Sequence, residues 1–282
     1  MGKNVRKNKA FFKLVIEGCS IMNDNFSLEE KSNRELWDNR ISDHMKSWYD
    51  IDNFKKGDSS LDEIQINEVG NVNGKHLLHL QCNIGIDTLS WVREGAIVTG
   101  VDFSPKAINI AKNLKEETNI NAQFICSNIF DLKEKINKKF DIVYTSQGVL
   151  CWIKDLSKWA SVIRHFLKPN GIFYIMEIHP FINIFDYFAQ EPRIINSYFN
   201  SEKPEYYKEN EKFEGYEWTW SLSNIVNALI KENLTIKFLN EYDKIFGNTH
   251  SFMERIDKNW WHIPGLKIPL MFTLKAIKRE KE

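Results

Sequence analysis

The sequence carries no surplus charge. In 282 residues, 38 lysines and arginines stand against 38 aspartates and glutamates, so no overall field draws the chain toward nucleic acid, and a large polyanionic partner is not expected. It also lacks any run approaching the roughly 18 apolar residues of a membrane span. Phe11 to Ile21 is interrupted by Lys13 and Glu17, too broken for a signal sequence. The four cysteines, Cys19, Cys82, Cys126 and Cys151, lie far apart without a CxxC pair, and a reduced cytoplasmic protein fits that spacing best. The seven histidines form no HExxH and no close Cys/His cluster, so no metal is expected. A GxSxG elbow is missing around Ser146, which argues against a serine nucleophile. No GxGxxG follows a strand, which argues against a dinucleotide, and no repeat or low-complexity segment is evident.

What is present suits one large α/β domain with a substantial cap: 43% of the residues are hydrophobic, enough for a sizeable core and too many for disorder. The basic head Met1 to Lys13 reads as a ragged tail, and Met22 offers an alternative start. The segments expected are an extension over 1–26, a helical N-terminal cap over 27–75, a ligand-binding α/β core over 76–180, a cap insertion over 181–222, and a completion of the sheet over 223–282. Leu36, Trp37, Ile41, Met45, Trp48 and Tyr49 recur at three and four positions and predict one or two amphipathic helices within 27–54.

From His76 the pattern turns regular. Strands are predicted at 76–81, 97–102, 122–126, 140–145 and 172–178, separated by helices at 86–94, 105–118 and 154–167, a rhythm of parallel βαβ units. Ser104 and Pro105 supply an N-cap and a first helical residue, and Lys168-Pro169-Asn170-Gly171 reads as a sharp turn. A helix at 223–231 and strands at 234–238 and 270–276 follow. The tight turn at Gly85 and the acid Asp102 both fall at carboxyl ends of strands, where open α/β sheets bind ligands and where an acid can take both hydroxyls of a ribose. At the first turn, Gln81-Cys82-Asn83-Ile84-Gly85, only Gly85 permits close approach. That suits a ligand without pyrophosphate, such as S-adenosylmethionine.

These motifs resemble the class I S-adenosylmethionine-dependent methyltransferases, and in particular a branch with a LLHLQC-x-x-G-x-DTLS-W signature (Leu77 to Trp91) and an E-x-HP signature (Glu177 to Pro180). Val98 to Ile108, Phe140 to Ser146 and Phe166 to Gly171 carry the rest of the resemblance, which covers roughly 35–278. It implies a Rossmann-like, doubly wound, mostly parallel seven-strand sheet with an antiparallel last strand, S-adenosyl-L-methionine as cofactor, and direct in-line methyl transfer to a small-molecule acceptor. The alternative is a noncatalytic adenosyl-ligand-binding or interaction protein. A monomer or homodimer is expected, with no membrane partner.

The resemblance places cofactor contacts at His79, Gln81, Cys82, Gly85, Asp102, Phe103, Asn128, Ile129 and Ser146. The chain departs from the family at three of these and at Asn83: His79 stands where the family has an acid, Gln81 and Asn83 where it has glycines, and Asn128 where it has the adenine-side acid. Each residue has a plainer reading as well. His79 could be a satisfied interior imidazole, Asn128 a turn residue and Phe103 filler between sheet and helix. Strand alternation puts Glu177 and His179 on one face, making His179 a candidate base and Glu177 its orienter, unless the segment is only a strand exit fixed by Pro180. Tyr49, Gln147, Trp152, Trp218 and Trp220 are the candidate acceptor-pocket residues. The aromatic stretches are expected to form or abut the acceptor entrance.

Overall fold

The structure is a computed structural model that describes residues 26–47, 49–199, 203–208 and 213–280. The expectations for the basic head, for a start at Met22 and for Trp48 lie outside the described residues. The chain begins with helices α1 (Leu28–Ser47), α2 (Ile51–Lys56) and α3 (Glu63–Val69). The alternating core follows as β1 (His76–Leu80), α4 (Ile86–Arg93), β2 (Ile97–Asp102), α5 (Pro105–Thr118), β3 (Gln123–Cys126), α6 (Leu132–Lys135), β4 (Phe140–Ser146), α7 (Leu156–Phe166) and β5 (Leu167–Ile178). After a hairpin of β6 (Glu205–Lys208) and β7 (Glu214–Glu217) come α8 (Leu222–Lys231), β8 (Leu234–Tyr242), three short strands β9 (Ile245–Phe246), β10 (Glu254–Arg255) and β11 (Trp260–His262), and finally β12 (Met271–Lys278).

Seven strands form one sheet in the order β3-β2-β1-β4-β5-β12-β8. Pairing is parallel from β3 to β5, while β12 runs antiparallel to both β5 and β8. This is the doubly wound, Rossmann-like sheet with an antiparallel last strand. Its order reverses at β1, so the carboxyl ends of β1, β2 and β4 open one crevice. Alternation within β1 explains the layering: Leu78 and Leu80 join Trp159 and Ile163 of α7 and Leu229 of α8 on one face, while Leu77 meets Trp91 of α4 and Val69 of α3 on the other. Helix α5 packs Ala107, Ile108 and Ala111 against Phe124 of β3.

Local signals account for most boundaries. Ser104 accepts from the Ala107 N–H at 3.0 Å with Pro105 just inside the helix, and Asp155 caps α7. Of the one or two helices expected within 27–54 the structure has two, and Asp50 caps the second. Two boundaries differ from expectation. Lys168 to Gly171 is not a turn between elements but a bulge inside β5, where the pairing with β4 slips between Phe140 and Ile142 and Asn170 takes the extra left-handed residue at φ 60°. Helix α3, absent from the sequence reading, is only seven residues long and is set by a capping box of Asp62 and Gln65.

The cap is held to helix α1 and to the segment after β4 by side-chain and backbone hydrogen bonds. Asn33 of α1 donates to the Tyr216 carbonyl at 2.9 Å and accepts from the Tyr216 N–H at 2.8 Å, as a neighbouring strand would. Trp218 N–H donates to the Cys151 carbonyl at 2.8 Å, and Trp220 Nε1 to the Ile153 carbonyl at 2.9 Å. Among the described residues, no helix is long and apolar enough to cross a membrane.

Candidate active site

A single cavity of about 500 Å³ runs from the ends of β2 and β3 to the aromatic cap. At its floor lie Cys82 and Asn83, and Gly85, outside the lining, closes the turn after β1 behind them by a bond from its N–H to the Cys82 carbonyl at 2.9 Å. Gln81 and Asn83 stand at φ 57° and 47°, the left-handed region that a glycine would enter freely and an asparagine tolerates. Gly85 is required twice over: its φ is +76°, and a Cβ there would come within 2.6 Å of the Phe124 ring.

Asp102 terminates β2, is buried, and holds the turn open. Its Oδ2 accepts from the Asn83 N–H at 2.8 Å and its Oδ1 from the Ser104 N–H at 2.9 Å, leaving each oxygen a further lone pair toward the cavity. Burial pushes this carboxyl up to about 6, against the Ser104 and Asn83 amides that pull it down, with Asp38 adding to the rise. A folded value above the unfolded one means that stability from this group is full below about 4 and is lost as pH rises through about 6. The melting-temperature difference between an Asp102→Asn variant and the native chain, measured without ligand, should therefore shift in favour of the variant as pH rises through that window. A constant difference between about pH 4 and about pH 7 would contradict the titration.

Farther along the crevice, Asn128 is occupied on both sides. Its Oδ1 caps Phe130 N–H at 3.1 Å, and its Nδ2 donates to Glu30 Oε1 of α1 at 3.1 Å. Glu30 thereby brings a carboxylate to the place where the strand end has an amide. Phe103 and Ile129 line the same end, with Phe103 tilted against Phe26 at 6.4 Å.

At the opposite end, toward β4, His79 is buried among neutral partners. Its Nδ1 lies 2.8 Å from Thr88 Oγ1 and its Nε2 3.5 Å from Ser146 Oγ, and burial drives its imidazole down to about 3, so it is uncharged. Ser146 donates to Asp87 Oδ2 at 3.0 Å, and Ser60 to Asp87 Oδ1 at 2.6 Å. Asp87 was within the signature noted in the sequence but had no assigned role. Its importance emerges only when Ser60, 27 residues away, folds over it.

Glu177 and His179 keep to one side of the sheet as the alternation of the strand requires, since Glu177 pairs with Phe272 and Phe272 with Glu241, and His179 meets both Phe272 and Glu241. The carboxylate of Glu177 is nonetheless not bonded to the imidazole. Glu177 lines the cavity, yet its carboxylate is consumed by backbone: Oε1 accepts from the Gly148 and Ile178 amides, the latter at 2.7 Å, and Oε2 from Val149 and Leu150 at 2.9 and 3.2 Å. It staples the loop after β4 and orients no imidazole. His179 is outside the lining. Its Nδ1 accepts from the Phe181 N–H at 3.1 Å, its Nε2 lies 3.0 Å from Glu241 Oε1, and its ring meets Phe272 edge-on.

Tyr49, Gln147, Trp152, Trp218 and Trp220 all reach the cavity. Trp152 donates from Nε1 to the Gly148 carbonyl at 2.9 Å and meets Trp37 edge-on at 5.4 Å. The Arg40 guanidinium lies 5.4 to 5.9 Å from the rings of Trp37, Trp152 and Tyr207, facing Glu217, whose carboxyl is raised by burial and opposed by Arg40. His250 adds a buried imidazole stacked on Tyr187 at 4.4 Å, 3.0 Å from Thr249 Oγ1 and lowered to about 4 by burial. Tyr187 belongs to the aromatic stretch expected at the acceptor entrance, whereas Arg40, Glu217 and His250 escaped the sequence reading because each comes from a different segment and none belongs to a local pattern.

Residues 78–175 match a family described as "Methyltransferase domain". A curated relative, "Ubiquinone biosynthesis O-methyltransferase" of Coxiella burnetii, is 32% identical over 106 residues, covering 38% of this chain and 44% of that protein. The match thus spans less than half of the relative's own length. Among solved structures, an S-adenosylmethionine-dependent methyltransferase from Clostridium acetobutylicum aligns over 96% of this chain and 100% of its own, with TM-score 0.52 and 14% identity. A DhpI–SAH complex aligns over 90% and 98%, with TM-score 0.56 and 12% identity. At such identities these two structures speak for the fold.

Proposed function

We propose that this chain, a member of the class I S-adenosylmethionine-dependent methyltransferase superfamily by its sheet and its 78–175 domain, transfers a methyl group from S-adenosylmethionine to a small-molecule acceptor held under the aromatic cap. The observation that carries this reading is the continuity of one cavity from Asp102 and Glu30 to Trp152 and Trp218. The residues fit the cofactor. Asp102 offers two lone pairs to a ribose diol, and the buried side-chain oxygens of Gln81 and Asn83 have no hydrogen-bond partner, so each would gain from a ligand's donors. Bound S-adenosylmethionine supplies a methyl group on a sulfonium, already activated for in-line displacement.

The chain's own work is then alignment and exclusion of water. The Glu177 staple fixes Gly148 to Leu150 as one wall, Trp152 and Trp218 close the acceptor side, and the turn at Gly85 fixes the floor. The name of the curated relative supports an oxygen acceptor. Where such an acceptor has to lose a proton, we assign the base to His250, whose neutral imidazole lines the acceptor half, in place of His179. We propose action as a monomer or homodimer on a metabolite rather than on nucleic acid.

Turnover of S-adenosylmethionine against metabolite pools, followed by mass analysis, should reveal a product heavier by one methylene unit. His179→Ala should retain this turnover, and His250→Ala should lose most of it while keeping cofactor affinity. Transfer confined to RNA or DNA would refute the small-molecule reading. Tight cofactor binding with no transfer to any pool would favour the noncatalytic alternative.

A further inference from the structure

Five carboxylates line the cavity, and four have an evident occupation. Glu177 is saturated by four backbone amides. Glu217 faces Arg40. Asp102 receives the Asn83 and Ser104 amides, and Glu30 receives Asn128. Asp87 is different. Its donors are hydroxyls alone, from Ser60, Ser146 and Tyr144 at 2.6, 3.0 and 3.5 Å. Among the described residues no lysine or arginine pairs with it, and the imidazole beside it, His79, is uncharged. A desolvated carboxylate met only by neutral groups is costly unless a cation arrives.

The sheet order says which part of a ligand would bring that cation. Asn128 follows β3, Asp102 ends β2, and Ser146, which holds Asp87, ends β4 on the far side of β1. An adenosyl ligand with its base toward β3 and its ribose on Asp102 must direct its amino-acid tail toward β4. Tyr49 lies close enough to both carboxylates that each raises its hydroxyl, so Asp87 and Asp102 border one stretch of the cavity. Ser60 is itself held by Ser90, whose hydroxyl accepts from the Ser60 N–H at 3.1 Å, so the carboxylate is fixed in place before any ligand enters.

Resting on the cofactor reading above, we propose that Asp87 is the residue that recognises the α-ammonium of the cofactor's methionine moiety, supplying from helix α4 the negative charge that His79 does not supply from the strand. Asp87 is therefore a specificity residue. It discriminates adenosyl ligands that carry an amino-acid tail from those that do not.

Calorimetry on the full chain with two probes tests this. S-adenosylhomocysteine carries the ammonium, and 5′-methylthioadenosine keeps the adenosine and sulfur but lacks the amino acid. Asp87→Asn, which preserves shape, keeps one oxygen to accept a serine hydroxyl and turns the other position into an NH₂ donor to which the second serine can rotate its oxygen, should weaken S-adenosylhomocysteine by about tenfold or more and leave methylthioadenosine unchanged. Asp102→Ala should weaken both. Equal affinity of native and Asp87→Asn chains for S-adenosylhomocysteine, at matched melting temperature, overturns the assignment, as does an equal loss on both probes. A native chain that binds neither probe overturns the cofactor reading, and the Asp87 role falls with it.

Discussion

Replacing Asp102 by alanine should reduce affinity for S-adenosylhomocysteine by roughly 100-fold or more, since two charge-assisted hydrogen bonds to a ribose contribute about 1.5 kcal/mol or more each. Part of the effect has a second source. The same carboxylate receives the Asn83 and Ser104 amides, so alanine also releases the turn after β1 and the first residue of the α5 cap. Asp102→Asn separates the two contributions, because it keeps an acceptor for one amide and removes the charge. The expected order of affinity is native, then Asn, then Ala, with melting temperatures recorded beside each. A folded alanine variant of native affinity would remove Asp102 from the ribose site.

Glu177→Gln should cost about 2 to 5 kcal/mol of stability, a fall of roughly 5 to 15 °C in melting temperature. The isosteric change turns one acceptor oxygen into an NH₂ group facing backbone N–H groups that it cannot satisfy, and the buried loop from Gly148 to Leu150 loses its anchor. Because that loop carries the cavity wall and the Trp152 contact to the Gly148 carbonyl, turnover should fall even below the melting transition. A variant as stable as the native chain would show that the four amides find other acceptors, most simply water.

The two residues illustrate what the sequence made legible. Asp102 and Gly85 were readable because each sits where a local pattern ends, a strand before a capped helix and a strand before a turn, and the topology then brings those ends together. The alternation of strand and helix followed from the same rhythm, and the order of the sheet from family resemblance alone. Glu177 was readable as a strand-end acid but not as a staple, since its partners are amides 27 to 29 positions earlier and amides leave no signature in a sequence. His179 shows that a shared face is not a shared bond: alternation puts it on the side of Glu177, yet its partners are Glu241 and Phe272 from the neighbouring strands, which no local pattern announces. Asp87, Glu30 and Arg40 gain their surroundings only through helices and loops packed from distant parts of the chain. The bulge at Asn170 was misread because proline, asparagine and glycine mark a turn and a bulge alike.

Phe124 bears on how this cavity floor can change over generations. Its ring edge stands over two glycines at once: a Cβ at Gly85 would fall 2.6 Å from it, and one at Gly100 would fall 2.9 Å from it and 3.0 Å from Cys82 Sγ. The two positions are nonetheless unequal. Gly100 has ordinary backbone angles, so trimming Phe124 to a smaller residue would open a route by which alanine becomes acceptable there, and the order of the two substitutions would matter. At Gly85 the same trimming leaves the Ala111 Cβ 2.9 Å away and leaves the left-handed φ of +76°, which penalises any side chain whatever its neighbours do. One glycine is thus contingent on its neighbour and free to drift with it, while the other is fixed by the path of the main chain, and no partner mutation at position 124 releases it.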